Sequence, residues 1–381
     1  MSGDFLAGFR NPEVARSLVE RIRLLAAAIQ SGDASGKFSG GQPINLMEVC
    51  GTHTVSIFRS GLRSILDTIP GLRLLSGPGC PVCVTSVRDV DAALAIASRP
   101  DVTFATFGDM VKVPGTVKSF ARLKAEGADI RLVYSPMELI AIAESNPKRQ
   151  VSFFSVGFET TTPGIAYALK RAKSLGIRNL TIVAANKVVP PALAALCKNP
   201  DLNLHGFILP GHVSTITGAA PFKPIAERFG IPCAIAGFEP VDILSGIAAL
   251  LAQIREGRAQ VEILYARAVP PAGNMHARAV VSHVFMPCDA EWRGIGVIPR
   301  SGLKLNAQYE DYDALRRFEI TSGESRDNPL CRCGDVLIGK SLPTECPLFG
   351  KGCDPEKPIG ACMVSSEGTC STYYRYAGKG T

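Results

Sequence analysis

Short apolar runs alternate with helical segments over most of this 381-residue chain. A strand that is buried on both faces of a sheet reads as such a run, and parallel strands are joined by crossover helices. The alternation therefore predicts an α/β fold with parallel sheets that are covered by helices on both faces. The predicted strands are residues 44–49, 72–75, 102–107, 130–134, 151–156, 180–184, 206–209 and 233–236.

These elements are too many for one sheet of usual size, and Asn146-Pro147 interrupts a helical segment. We therefore predict two Rossmann-like α/β domains, at residues 41–147 and 148–268. Residues 1–40 are predicted to be an N-terminal helix, capped by Asn11 with Pro12 in its first turn, and a Gly/Ser-rich linker. The alternation fails after residue 268, so residues 269–381 are predicted to be a separate C-terminal domain.

Composition and charge exclude several classes of protein. Hydrophobic residues make up 46% of the chain and charged residues 20%, which is enough to bury a core. No apolar run reaches the ~20 residues of a spanning helix, and the N-terminus has no apolar signal core, so we expect a soluble, cytoplasmic protein without membrane contact. The net charge of +7 comes from scattered residues, whereas nucleic-acid binders gather their charge into a stripe.

The chain has 12 cysteines, and their clustering indicates metal or redox chemistry. Six of them fall within residues 331–370, while Cys197, Cys233 and Cys288 stand alone in apolar surroundings and are predicted to be core residues. The cytosol keeps thiols reduced, so clustered cysteines there favour metal binding or redox activity over structural disulfides.

Polar residues follow many of the predicted strands. In parallel sheets, ligands bind beyond the carboxyl ends of the strands, so these segments predict a site in a cleft. Turn formation and helix capping explain any single segment as well, but the cysteines and histidines among them favour a site. The segments are 50–53 (Cys-Gly-Thr-His), 77–83 (Gly-Pro-Gly-Cys-Pro-Val-Cys), 108–110, 157–161, 186–187, 211–215 and 237–239.

Cys80 and Cys83 form the sharpest local motif. Their two-residue spacer allows both sulfurs to bind one metal or to close a redox disulfide; two buried cysteines without a ligand are the plain alternative. Cys50 and His53, from another loop, can add a third sulfur and a nitrogen for a soft metal such as iron or zinc. His53 can instead act as an acid or base, and Asp109 follows a strand that we place at the same sheet edge, so both are predicted to handle protons beside the metal.

The C-terminal cysteines have the pattern Cys331-x-Cys333-x12-Cys346-x6-Cys353-x8-Cys362-x7-Cys370. Six thiols without a histidine suit an iron–sulfur cluster, which four cysteines normally hold; a zinc knot held by four thiolates is the alternative. Since this segment is too rich in Cys, Pro and Gly to build a conventional core, we expect metal bonds to hold it together.

At these motifs the sequence resembles the HypD family, the maturation proteins of NiFe hydrogenases, over essentially its whole length. The matching segments are 50–53, 79–83, 108–110, 157–161 (Gly-Phe-Glu-Thr-Thr), 211–212 and 362–370 (Cys-Met-Val-Ser-Ser-Glu-Gly-Thr-Cys).

The resemblance implies an assembly scaffold with redox activity. It would hold one iron together with a HypC-type chaperone while two cyanides and one carbon monoxide are attached, to give an Fe(CN)2CO group, with cyanide accepted from HypE. Cys50, Cys80 and Cys83 match the central thiols of the family, and the tail matches its 4Fe–4S site.

For the ligands of this cluster, the family spacing favours Cys333, Cys346, Cys353 and Cys370. Cys331 is the rival first ligand, and Cys362 is a spare or redox thiol. The expected fold is thus two Rossmann-like domains plus an iron–sulfur domain packed with the N-terminal helix. A cluster-containing thiol–disulfide oxidoreductase and a zinc-stabilised α/β binding protein remain as alternative functions.

Overall fold

The computed structural model describes residues 6–34, 41–321 and 323–377. All eight predicted strands are present, with ends shifted by at most two residues, and β9, β10 and β11 were not predicted. The strands are β1 (Ile44–Glu48), β2 (Leu72–Ser76), β3 (Val102–Thr106), β4 (Ile130–Leu132), β5 (Gln150–Ser155), β6 (Leu180–Ala184), β7 (Gly206–Pro210), β8 (Cys233–Ala236), β9 (Val261–Ile263), β10 (Phe285–Trp292) and β11 (Gly296–Leu305).

Most helices lie between successive strands, as the alternation predicts. They are α1 (Pro12–Gln30), α2 (Gly51–Arg59), α3 (Leu62–Leu66), α4 (Pro81–Val84), α5 (Val87–Ala97), α6 (Phe120–Ala125), α7 (Glu138–Ser145), α8 (Thr162–Ser174), α9 (Val189–Cys197), α10 (Gly211–Thr217), α11 (Lys223–Phe229), α12 (Pro240–Arg255), α13 (Met275–Val284), α14 (Ala314–Arg317), α15 (Cys333–Leu337), α16 (Ala361–Val364) and α17 (Thr369–Tyr376). In the part of the chain that the structure describes, no helix has the length and apolarity needed to cross a membrane.

The strands form two parallel sheets and one antiparallel hairpin. The first sheet has the order β2-β1-β7-β8-β9, the second has the order β4-β3-β5-β6, and β10 pairs with β11. The first sheet is thus made of two distant stretches of chain, and the second sheet is made of the stretch between them. A division near residue 147 does not follow these sheets, because it separates β4 from β5 within the second one. An apolar run shows that a strand is buried, but not which strand lies beside it.

Helix α1 begins as predicted but packs elsewhere than predicted. The side chain of Asn11 accepts hydrogen bonds from the backbone N–H groups of Glu13 and Val14, and Pro12 opens the helix. The buried face of α1, which includes Ile22 and Ile29, joins the apolar cluster of the first sheet and its helix α12. The predicted packing of this helix against the cysteine-rich domain is therefore wrong, since α12 offers it a long apolar face.

The cysteine-rich segment packs against the loops of the first sheet. Helix α17 contacts α2, and α16 contacts α4. The ring of Tyr373 in α17 meets the ring of Phe58 in α2 edge-on, with centroids 4.7 Å apart. These contacts bring the C-terminal cysteines to the end of the sheet where Cys50, Cys80 and Cys83 lie.

Candidate thiol and metal site

The site lies at the switch point of the first sheet. From β1 the chain continues to β2 on one side, and from β7 it continues to β8 on the other, so a crevice opens between the ends of β1 and β7. Cys50 follows β1 and His212 follows β7. The ring of Phe238, from the loop after β8, lies 4.0 Å from the ring of His212 and 4.8 Å from that of His53, so three loops meet here.

Cys50 occupies the N-cap of α2 and is buried. Burial raises the pKa of its thiol to about 12, although the backbone N–H groups of His53 and Thr52 stabilise the thiolate. The nearby carboxylates of Glu48 and Glu367 raise this pKa further. Cys50 is therefore protonated at neutral pH, and a metal ion that binds its sulfur must displace the proton.

Glu48 fixes the turn that presents Cys50. Its Oε2 accepts a hydrogen bond from the backbone N–H of Cys50 at 3.0 Å, and its Oε1 accepts one from the hydroxyl of Thr54 at 2.5 Å. Burial raises the pKa of Glu48 to about 7. The sequence reasoning missed this residue, although a glutamate at the end of an apolar strand was a signal for it.

Glu367 connects the C-terminal segment to the Cys50 loop. Its Oε1 accepts a hydrogen bond from the hydroxyl of Thr52 at 2.8 Å. A Cβ atom on Gly51 would lie 2.6 Å from the Cβ and carbonyl oxygen of Glu367, so only glycine permits this approach. Glu367 belongs to the matching tail motif, but no role for it could be predicted from the cysteine spacing.

Cys80 and Cys83 lie in one turn beside the Cys50 loop. Their sulfur atoms are 2.6 Å apart, and the sulfur of Cys80 also accepts a hydrogen bond from the backbone N–H of Cys83. The backbone N–H of Gly51 donates to the carbonyl of Gly79 at 3.1 Å, and a Cβ on Gly79 would lie 2.2 Å from the backbone nitrogen of Cys50. The two loops are thus in backbone contact, and Gly79 is required for it.

The six C-terminal cysteines line one small cavity. Its other lining residues include Leu348, Phe349 and Met363, and no carboxylate or imidazole lines it. Thiolates in an apolar cavity are the donor set of an iron–sulfur cluster, so the residues fit the group that the resemblance implies. The thiols hydrogen-bond to one another, and no three described His, Cys, Asp or Glu side chains have the spacing of a finished metal site.

Cys362 lies between the Cys80–Cys83 pair and the tail. Its sulfur accepts a hydrogen bond from the backbone N–H of Cys370 at 3.3 Å, and its thiol interacts with those of Cys333, Cys370 and Cys83. Burial raises the pKa of Cys83, and its contacts with Cys362 and Cys80 raise it further. Two groups of thiols that are far apart in the sequence therefore touch in the structure.

The structure places the two predicted proton-handling residues differently. His53 is buried, and its Nε2 donates a hydrogen bond to the carbonyl of Gly237 at 2.9 Å. Burial lowers the pKa of His53 to about 4, so the ring is neutral, and among the described atoms its Nδ1 has no hydrogen-bond partner. Asp109 is exposed on the turn after β3 of the second sheet, and no contact between described residues joins it to Cys50.

The second sheet presents the Gly-Phe-Glu-Thr-Thr motif near the cysteine turn. The ring of Phe158 stacks on Trp292, which forms a β-bridge with Thr85, two residues after Cys83. Glu159 accepts a hydrogen bond from the backbone N–H of Val189 at 2.9 Å, and burial raises its pKa to about 7. This motif therefore helps to connect the second sheet to α4.

Comparison with known proteins gives a match over nearly the whole chain. The family described as "HypD: Hydrogenase formation hypA family" matches residues 20–377. The chain is 44% identical over 379 residues to the hydrogenase maturation factor HypD of Rhodobacter capsulatus, with 98% of both chains covered. It is 41% identical over 373 residues to HypD of Escherichia coli K12, again with 98% of both chains covered.

A relative from Bradyrhizobium diazoefficiens, hydrogenase maturation factor HypD2, is 43% identical over 376 residues, which is 97% of this chain and 95% of the relative. Identity at this level over nearly the full length is enough to assign the family. The chain belongs to the HypD family of hydrogenase maturation factors.

Proposed function

We propose that this maturation factor is the scaffold on which an Fe(CN)2CO group is assembled in the cytoplasm. Cys50, Cys80 and Cys83 hold the iron together with a HypC-type chaperone, and HypE supplies the cyanide. The observation that supports this most strongly is the backbone contact between the Cys50 loop and the Cys80–Cys83 turn at the switch point. It gathers soft sulfur donors in a crevice with little access for water, which suits low-spin iron with cyanide and carbonyl ligands.

Cys50 must lose a proton when it binds iron, and His53 can accept it. The thiol of Cys50 lies against the backbone N–H of His53, so both residues belong to one turn of α2. The neutral imidazole donates through Nε2 to Gly237, which leaves Nδ1 as the basic nitrogen. His53 is therefore proposed as a transient carrier of this proton, since its pKa of about 4 keeps the ring neutral at equilibrium. Asp109 is exposed on the turn after β3 of the second sheet. It is proposed to handle protons only after a partner covers it.

The Cys80–Cys83 pair is proposed to supply redox chemistry. Sulfur atoms 2.6 Å apart can close a disulfide with little movement. A two-electron oxidant, such as a disulfide of a protein partner, would take up the two electrons and two protons that this step releases. The same number of electrons and protons restores the dithiol. Opening and closing this bond would change how many thiolates the iron can bind.

The tail is proposed to hold a 4Fe–4S cluster through Cys333, Cys346, Cys353 and Cys370. When bound, such a cluster transfers single electrons. Cys362 interacts with Cys333, Cys370 and Cys83, so it links the thiols of the tail to the pair. Cys331 also lines the cavity and stays the alternative to Cys333 as first ligand.

The HypC-type partner is proposed to dock over the mouth near Cys50, where a cysteine of the partner can complete the ligands of the iron. A partner that must release its cargo suits a modest interface, on the order of 1,000–1,600 Å² in total. Hydrogen exchange with and without the partner tests this. Protection is expected around residues 50–53 and 80–83, and protection confined to residues 331–370 would contradict it.

Infrared spectroscopy of the anaerobically purified complex with the partner tests the scaffold itself. Bands of metal-bound cyanide and carbonyl are expected for the wild-type chain and for the control Cys197→Ala, whose thiol lies at the opposite end of the first sheet. Cys50→Ala should lose both bands and the maturation of hydrogenase, while it keeps the fold and the tail cluster. A Cys50→Ala chain that still supports hydrogenase activity would remove Cys50 from the site.

A thiol–disulfide oxidoreductase is the second candidate, because Cys362 connects the pair with the tail. Such a protein would be brown and would reduce a protein disulfide, but its complexes would show no cyanide or carbonyl bands. A colourless, zinc-containing preparation would instead support the structural zinc alternative.

A further inference from the structure

Arg293 is a buried cation at the junction between the cysteine turn and the tail. Only 3% of its side chain is exposed. Its backbone N–H donates to the carbonyl of Val84, the neighbour of Cys83, at 2.9 Å. A Cβ on the next residue, Gly294, would lie 2.2 Å from the Cα of Gly334, which directly follows Cys333. The tip of the β10–β11 hairpin is thus held between both groups of thiols.

The charge of Arg293 lies close to the tail thiols. Its backbone is held by Val84 on one side and packs through Gly294 against the residue that follows Cys333. Because the side chain is almost fully buried, water screens its charge only weakly. A buried cation at this place favours added negative charge in the cavity.

Asp327 is the counter-charge of Arg293. Its Oδ1 accepts a hydrogen bond from Nε of Arg293 at 3.0 Å and a second one from a terminal nitrogen at 2.5 Å. The side chain of Asp327 is 41% exposed, so water screens it more than it screens Arg293. Asp327 therefore offsets the charge of Arg293 only in part.

We propose that Arg293 sets the reduction potential of the cysteine-rich tail, by stabilising the electron-rich form of a cluster held there. Adding one electron to a cluster adds one negative charge, and a buried cation nearby lowers the free energy of the reduced form. Asp327 opposes this effect. This inference rests on the proposed 4Fe–4S function of the tail and adds a residue that binds no metal itself.

Potentiometric titration of the anaerobically purified full-length chain tests the inference. The cluster is reduced with dithionite and followed by visible absorbance and electron paramagnetic resonance. Arg293→Gln should shift the midpoint potential to more negative values, and Arg293→Lys should stay near the wild type because it keeps the charge. Asp327→Asn should shift the potential the other way. Arg267→Gln, which breaks the ion pair with Asp242 of α12, is the matched control and should leave the potential unchanged.

The opposite signs separate electrostatics from structure. A purely structural role would make Arg293→Gln and Asp327→Asn alike, since both break one ion pair, and such a result would overturn the inference. An unchanged potential in both variants would overturn it too. If Arg293→Gln does not retain a cluster, Asp327→Asn alone tests the inference, and its midpoint potential should shift to more positive values. The iron and sulfide content of the wild-type chain is measured before any titration. A wild-type chain without iron and sulfide would refute the proposed function of the tail and not the role of Arg293.

Discussion

The thiol of Cys83 interacts with the thiol of Cys362, although 278 other residues separate them in the sequence. This contact joins a turn of the first sheet to the cysteine-rich tail. Because Cys362 also touches Cys333 and Cys370, the thiols form a continuous chain from the cavity to the Cys80–Cys83 pair. Sulfur atoms in contact can exchange disulfides or pass electrons without large movements of the backbone.

Cys362→Ser should interrupt this chain of thiols and leave the cavity in place. We expect the iron and sulfide content of the wild type, but slower opening of a Cys80–Cys83 disulfide when dithionite reduces the tail. Alkylation of the two thiols, followed by mass spectrometry, measures the rate. Cys233→Ser, in a buried strand of the first sheet, is the control for a lost thiol. Equal rates of disulfide opening in the wild type, Cys362→Ser and Cys233→Ser would show that Cys362 is not on the path between the tail and the Cys80–Cys83 pair.

Cys353→Ala should bleach the tail cluster and loosen residues 331–370. Several of these residues are in turns without long helices, so metal bonds would contribute much of their folding energy. Iron and sulfide analysis and limited proteolysis measure the two effects. Cys288→Ala, on the β10–β11 hairpin, should change neither, and unchanged sulfide in Cys353→Ala would refute its assignment as a ligand.

Gly51→Ala should separate the Cys50 loop from the tail. The new Cβ would lie 2.6 Å from backbone and Cβ atoms of Glu367, which cannot move independently of the tail. We expect a loss of about 1–3 kcal/mol in the free energy of unfolding, typical of overpacking, and faster hydrogen exchange in residues 362–370. Gly108→Ala is the control, because a Cβ there meets no atom within 4 Å. Equal stability of the two variants would contradict the close approach.

His53 should make folding less favourable in acid. Burial lowers its pKa from 6.5 to about 4 in the folded chain, so the unfolded chain binds the proton more readily. Its contribution to stability is complete above pH 6.5 and is lost as the pH falls towards 4, with an upper limit of about 3 kcal/mol. Urea unfolding at several pH values should show this loss relative to His53→Gln. Parallel pH profiles of the two chains would mean that the imidazole is accessible to protons.

The elements of the fold are more predictable than their arrangement. The eight strands are apolar enough to be recognised individually, whereas β10 alternates buried and exposed residues irregularly and was missed. The pairing of β1 with β7 depends on contacts between distant residues, so no local pattern reveals it. The spacing of Cys80 and Cys83 and of the tail cysteines, and the place of Cys50 after a strand, were enough to propose them as site residues. Glu48 was missed although its partners Cys50 and Thr54 are close to it in the sequence. Glu367 could not be predicted, because Thr52 becomes its neighbour only in the folded chain.

The first sheet and the site are completed from both ends of the chain. Asn45 hydrogen-bonds to a residue 158 positions later, and Thr52 to Glu367, 315 positions later. During synthesis, β1 and the Cys50 loop therefore leave the ribosome long before their neighbours exist. A nascent chain cannot assemble these surroundings before Glu367 has been translated. The closed Cys50 loop therefore forms late, and until then this thiol lacks the contact with the cysteine-rich tail.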